Sequence, residues 1–255
     1  MTSCILKEKK DTQLSICHYF GVRQRPSKPL QTTVPKKRKL EQLYLDLGQR
    51  DFGKPVLCPT CGMMYVPGVE EDGMAHAQMC HAFQHGVRLT PTPAMRLVNK
   101  ISPDECILEI RQTDSRNLRN KLAAVLDVVK RELSFVTSQD DSLLTPQQTA
   151  YLYIVRNRVV GLVVAETIEE AFTVHPSERR EAVMGVFLLW VHSKFRRKGF
   201  ASCLVTAARK HRVFGMVVPV QKTAFSSPTQ SGLEFAKQYA NGPVLVYNCM
   251  SLESK

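Results

Sequence analysis

At 255 residues with 44% hydrophobic content, the chain has room for one ordinary domain with a packed core and a small second module. No apolar run approaches the roughly 18 residues needed to cross a bilayer, and the start, MTSCILKEKK, lacks the apolar stretch of a signal peptide. An intracellular protein without a membrane span is therefore expected, its eight cysteines serving as metal ligands or small buried residues rather than disulfides. The net charge of +12 is uneven: residues 1–40 hold ten Lys/Arg against Glu8 and Asp11, a net +8 that suits a polyanion or an import receptor.

Residues 1–40 show no sustained period of 2 or 3.6, and Pro26, Pro29 and Pro35 interrupt any nascent helix, which predicts a disordered basic arm. Within it, TQLSICHYFG spaces Gln13, Ile16, Tyr19 and Phe20 so that three apolar prongs share one side of a helical turn, with a polar residue ahead of them. PKKRKL then places Lys36, Lys37, Arg38 and Lys39 behind a proline and resembles a one-part nuclear localisation signal. EQLYLDLGQRDFG leads into a small module over 41–90, and LTPTPAMRLVNK, with its two prolines, reads as a boundary.

Residues 100–255 read as one α/β unit. ECILEIRQT alternates like a strand, and NLRNKLAAVLDVVKREL carries Leu118, Leu122, Val125, Val129 and Leu133 at steps of three and four, an amphipathic helix. Tyr151 to Val155 and Val159 to Glu166 flank a turn at Arg156 to Arg158, which predicts a hairpin. AVMGVFLLWV is apolar throughout, as in a central strand buried on both faces. A helix over Ala201 to His211, a strand at GMVVPV, a helix over Gln230 to Tyr239 and a strand at VLVYNC complete an order that needs a mixed sheet.

Two stretches carry chemistry. CPTCGMMYVPGVEEDGMAHAQMCHAF offers Cys58, Cys61, His76, Cys80 and His81: a CxxC knuckle, a spacer and two further donors one helical turn apart meet the tetrahedral demand of Zn2+. His76 and Cys80 are at i and i+4 on one helix face, so the expected set is Cys58, Cys61, His76 and Cys80, with His81 as the alternative fourth ligand. About 40 residues bury little core, so metal binding supplies the folding energy. The acidic EED before this helix argues against reading of DNA bases.

The second stretch, RRKGFA, runs from Arg196 to Ala201 between the most apolar strand and a helix. Backbone N–H groups at such a helix N-terminus bind a pyrophosphate, Gly199 permits close approach, and Arg196, Arg197 and Lys198 balance its charge. This arrangement resembles the GNAT N-acetyltransferase superfamily, whose fingerprint is [R/Q]xxGx[G/A]. The resemblance implies a GNAT-type mixed central sheet flanked by helices. It also implies acetyl-CoA held by Leu189, Trp190, Val191 and His192 along the pantetheine and by Arg196, Arg197, Lys198, Gly199, Phe200 and Ala201 at the diphosphate. The default role of Trp190 is a core side chain with its indole N–H paired.

QLYLDLGQRDFG ahead of CPTCGMMY, then LWV with RRKGFA, then AFSSPTQSGLEFAKQY with LVYN, together resemble the establishment-of-cohesion acetyltransferases, which modify cohesin during DNA replication. That resemblance implies an acetyl-CoA-dependent lysine N-acetyltransferase with Zn2+, acting in the nucleus on a cohesin ATPase-head subunit beside chromatin-associated replication machinery. TQLSICHYFG resembles the PIP box that docks on the sliding clamp PCNA. Three departures stand out: Cys80 where the family finger has a histidine, and Phe187 and Ser227 where members use a serine and often an aspartate. A catalytically weak GNAT-fold module that docks to PCNA and cohesin therefore remains the alternative. Candidates to accept or relay the lysine proton are Glu166, His192, Ser226 and Ser227, with Thr229 beside them.

Overall fold

The computed structural model describes residues 53–133, 144–174 and 176–247. The arm with Gln13, Ile16, Tyr19 and Phe20, the basic run Lys36 to Lys39, and residues 41–52 lie outside the described residues.

The predicted hairpin forms as β6 (Gln148–Val155) and β7 (Arg158–Thr167), joined through Arg156 and Asn157 at φ 47° and 60°. Two successive positive φ values match the twist of the strands, and Asn tolerates that region. Around this pair grows a 10-stranded sheet. On one side lie β5 (Glu105–Arg111) and the edge strand β4 (Arg96–Ser102). On the other come β10 (Met184–Val191), β11 (Thr223–Ser226), β12 (Leu245–Tyr247), β8 (Glu170–Thr173) and β9 (Arg179–Glu181). Only β10 with β11 and β11 with β12 run parallel, so the sheet is mixed as expected.

Alternation along the strands supplies a core on each face. α2 (Arg116–Leu133) covers one face, burying Leu118, Leu122, Val125, Val128 and Val129 against Leu108, Ile110, Leu152, Ile154 and Trp190. The other face is covered by α3 (Phe200–His211) and α4 (Gln230–Ala240), where Leu204, Val205, Ala208 and Ala236 join a cluster with Tyr151, Tyr153 and Val163. Leu133, predicted on the apolar stripe of α2, is instead 38% exposed, at the last residue of the helix.

Three expectations need correction. The connector LTPTPAMRLVNK contributes β4, which alternation concealed because this edge strand is mostly exposed on both faces. GMVVPV forms no named strand: Val213 and Met216 close a tight turn about Gly215, the Val218 N–H caps the Arg209 carbonyl, and the parallel strand starts later at Thr223. Pro219, lacking an N–H, suits that bend better than a central strand. The short strands β8 and β9 have no counterpart among the expected elements.

The small module is built from β1 (Val56–Leu57), β2 (Met64–Tyr65) and α1 (Glu70–His85), followed by β3 (Val87–Arg88). β3 pairs with β7 through Val87 and Val159, just beyond the point where Val191 of β10 pairs with Gly161. Met79, Ala82 and Phe83 of α1 pack on the α2-side core. The module therefore contributes a strand to the main sheet.

Candidate functional site

Cys58 and Cys61 flank the turn between β1 and β2, where the Cys58 N–H donates to the Met63 carbonyl and the Gly62 N–H to the Cys58 carbonyl, both at 2.9 Å. His76 and Cys80 project from α1, and the four donor atoms lie within 4.8 Å of one another. Nε2 of His76 is buried without a hydrogen-bond partner, and Tyr65 stacks on its ring at 3.9 Å and 7°. A buried imidazole nitrogen left unpaired among three thiols is the arrangement that a tetrahedral Zn2+ satisfies. The backbone N–H of Cys61, followed by His76, holds the Cys58 thiol down at about 6, toward the thiolate that binds metal. Burial, and then the neighbouring Cys58, pushes the Cys80 thiol up to about 11, so the incoming metal must displace that proton. His81 is outside this cluster: it is exposed and stacks on His85 at 4.7 Å.

The second site arises where strands part. β10 pairs with β11 only over Met184 to Val186, and a bulge at Phe187 shifts its register against β7 before it continues to Val191. The resulting cleft, about 730 Å³, is lined by Leu189, Trp190 and Val191 on one wall and by α4 residues including Gly232 and Phe235 on the other. Its end is the turn holding Phe195, Arg196, Arg197, Gly199, Phe200 and Ala201. Gly199 caps α3 at φ 83° and no side chain caps the first turn, which leaves its N–H groups for a ligand. At α4 the comparable position is taken, because the Thr229 hydroxyl accepts the Gly232 N–H at 3.2 Å. Thr229 thus acts as a helix cap. A groove of similar size, about 720 Å³, lies between the Arg88 to Met95 connector and the start of α2, and none of these groups lines it.

The three cations of the turn differ. Arg196 donates from Nη2 to Glu132 Oε1 at 2.6 Å and from Nε to the Val191 carbonyl at 3.0 Å, so its charge is already paired. Lys198 lies 5.3 Å from the Phe195 ring centroid and is exposed, as is Arg197. Trp190 is 2% exposed and donates its indole N–H to Glu132 Oε2 at 2.7 Å, the core role expected of it.

His192 does not reach the cleft. It is 1% exposed, with Nε2 2.9 Å from the Phe83 carbonyl and Nδ1 accepting the Lys194 N–H at 3.2 Å. With both nitrogens engaged, it joins α1 to the end of β10, and its expected proton-accepting role gives way to a structural one. Glu166 is half-buried, pairs across the sheet with Gly185, and accepts from Gln148 Nε2 at 2.8 Å. The buried Tyr247 hydroxyl faces it without a well-formed hydrogen bond. Burial, and next the Glu166 carboxylate, pushes the Tyr247 phenol well above its ordinary value. Only a glycine fits beneath that ring, since a Cβ on Gly185 would collide with Tyr247 Cζ. Ser226 is half-buried and pairs with Tyr247, whereas Ser227 is exposed at φ 31°. Glu166 and Tyr247 thus face one another over Gly185, and Ser226 stands opposite Tyr247 in the β11–β12 register; none of the three lines the cleft itself. Sequence reasoning missed Glu132, Gln148 and Tyr247 as site residues, although Glu132 lies in the quoted amphipathic helix and Tyr247 in the quoted LVYN.

Residues 42–82 match the family described as zinc-finger of acetyl-transferase ESCO, and residues 180–247 match ESCO1/2 acetyl-transferase. The chain is 34% identical over 243 residues to N-acetyltransferase ESCO2 of Mus musculus, covering 86% of this chain and 40% of that protein. It is 29% identical to N-acetyltransferase ECO1 of Yarrowia lipolytica, covering 86% of this chain and 77% of the relative. The solved xEco2 acetyltransferase domain bound to a CoA conjugate is 29% identical with a TM-score of 0.57, over 62% of this chain and 99% of that one. The chain thus spans well under half the length of the animal relative. Through its finger over residues 42–82 and its C-terminal segment over residues 180–247, the chain matches the ESCO acetyl-transferase family models and is similar to the establishment-of-cohesion N-acetyltransferases.

Proposed function

We propose that this protein is an acetyl-CoA-dependent lysine N-acetyltransferase acting on a cohesin ATPase-head subunit in the nucleus during DNA replication. The observation that carries the reading is the cleft between the diverging β10 and β11, closed at one end by the uncapped first turn of α3. Leu189, Trp190 and Val191 offer backbone groups along the pantetheine arm, and the N–H groups of Phe200 and Ala201, with Arg197 and Lys198, hold the diphosphate. When bound, acetyl-CoA supplies an acyl group activated as a thioester.

A substrate lysine, titrating near 10.4 when free, must lose its proton before its nitrogen can form the new C–N bond. Glu166, oriented by Gln148, takes that proton. The C–S bond breaks as the amide forms, and the second proton that the nitrogen sheds on becoming an amide passes to the departing thiolate. Ser226, opposite Tyr247 in the β11–β12 register, is the hydroxyl proposed to relay that proton. The finger supports the sheet through β3 rather than the chemistry. PCNA docking through Gln13, Ile16, Tyr19 and Phe20, and nuclear import through Lys36 to Lys39, complete the proposal.

Incubation of the purified, zinc-loaded chain with acetyl-CoA and cohesin heads, followed by acetyl-lysine mapping by mass spectrometry, tests it. Glu166→Gln is expected to lower turnover by roughly 10²- to 10⁴-fold, the usual worth of a general base, with acetyl-CoA affinity retained. Phe187 at the bulge and Ser227 in the following turn favour the second reading, a catalytically weak docking module. Acetyl-CoA binding without acetyl-lysine would establish that reading in its place.

A further inference from the structure

Glu132, near the end of α2, is 58 residues in sequence from Trp190 and 64 from Arg196, yet its two oxygens join them. Oε2 accepts the indole N–H at 2.7 Å and Oε1 accepts the Arg196 guanidinium at 2.6 Å. A second donor of that guanidinium is committed to the Val191 carbonyl. The Glu132 side chain is only 11% exposed, so its carboxylate is largely withdrawn from water, whereas the Arg196 side chain reaches it from the surface at 51% exposure. The three elements tied together are α2, the apolar wall of the cleft and the turn that closes it. Arg196, although it opens the RRKGFA turn, therefore spends its charge within the protein.

We propose that Glu132 is a positioning residue for acetyl-CoA. By holding Arg196 to Trp190 it fixes the separation between the strand that takes the pantetheine arm and the turn that takes the diphosphate. These parts of one ligand are covalently linked, so their two receptors must match that fixed spacing, and a misplacement of about 1 Å is costly. The inference rests on the acetyl-CoA reading above.

The test titrates the zinc-loaded chain with acetyl-CoA and, separately, with S-acetylpantetheine, which lacks the diphosphate. Glu132→Gln can still accept from Trp190 but loses the ionic bond to Arg196. It is expected to weaken acetyl-CoA binding by about ten- to a hundredfold, the equivalent of one charge-assisted hydrogen bond. S-acetylpantetheine affinity is expected to stay within about threefold, because its contacts involve the strand alone. Arg196→Gln breaks the same pair from its exposed side, with less risk to the core, and should behave alike. The double variant should be little worse than either single one, as coupled partners require. Wild-type acetyl-CoA affinity in both single variants, or equal losses for both ligands, would overturn the role. A wild-type chain that takes up neither ligand would instead overturn the reading beneath it.

Discussion

Gly86 ends α1 at φ 80° and ψ 154°, a backbone region open essentially to glycine alone, and its N–H still bonds the Ala82 carbonyl. A Cβ there would stand 2.5 Å from the Val159 carbonyl oxygen, which is backbone of a central strand and cannot swing aside. Gly86→Ala therefore combines about 1 to 3 kcal/mol of dihedral strain with an overpacking cost of about 1 to 3 kcal/mol, or about 2 to 6 kcal/mol together. At roughly 2 to 4 °C per kcal/mol for a unit of this size, the unfolding midpoint should fall by roughly 4 to 24 °C. Gly215→Ala is the internal control: φ is 74° there too, but nothing lies within 4 Å of the added carbon, so only about 1 to 2 kcal/mol of dihedral cost applies. Calorimetry of the two zinc-loaded variants separates the collision from the dihedral. Equal midpoints would refute the claim that the finger's last turn is pressed onto β7.

Zinc release measured with a colorimetric chelator should show Cys80→Ala losing metal and His81→Ala keeping it, since only Cys80 joins the donor cluster; the reverse would exchange the fourth ligand. Because the Cys80 thiol stands at about 11 without metal, zinc uptake at pH 7.5 should release a proton, measurable as acidification of weakly buffered solution. Burial raises the Tyr151 and Tyr247 phenols above their ordinary value of 10.0, so the stability they contribute is intact below pH 10 and declines as pH rises beyond it. Urea midpoints should therefore drop more steeply above pH 10 in the wild type than in Tyr151→Phe, and parallel curves would contradict this. Changing Tyr19 and Phe20 to Ala should abolish clamp binding in a pull-down while leaving acetyl-CoA affinity unchanged; undiminished clamp binding would reduce the motif to coincidence.

The locally encoded features were legible in the sequence. Cys58, Cys61, His76 and Cys80 declare themselves because ligand spacing and helix periodicity are short-range properties, and the structure gathers those four and leaves His81 out. The β6–β7 hairpin and the buried faces of α2 and α3 follow from periods of 2 and 3.6 in the same way. RRKGFA announced a glycine turn at the start of a helix because a glycine suits a position where φ reaches 83°. What the side chains of that turn do was decided by tertiary structure alone: Arg196 faces Glu132, a partner 64 residues away that no motif contains. Likewise His192 is by residue type a candidate proton acceptor, yet the arrival of the Phe83 carbonyl from α1 makes it a strut. Local sequence fixes backbone geometry and donor spacing within a few turns. The partner of a charge or a ring nitrogen depends on which distant strands and helices pack beside it, and that is set only when the sheet assembles.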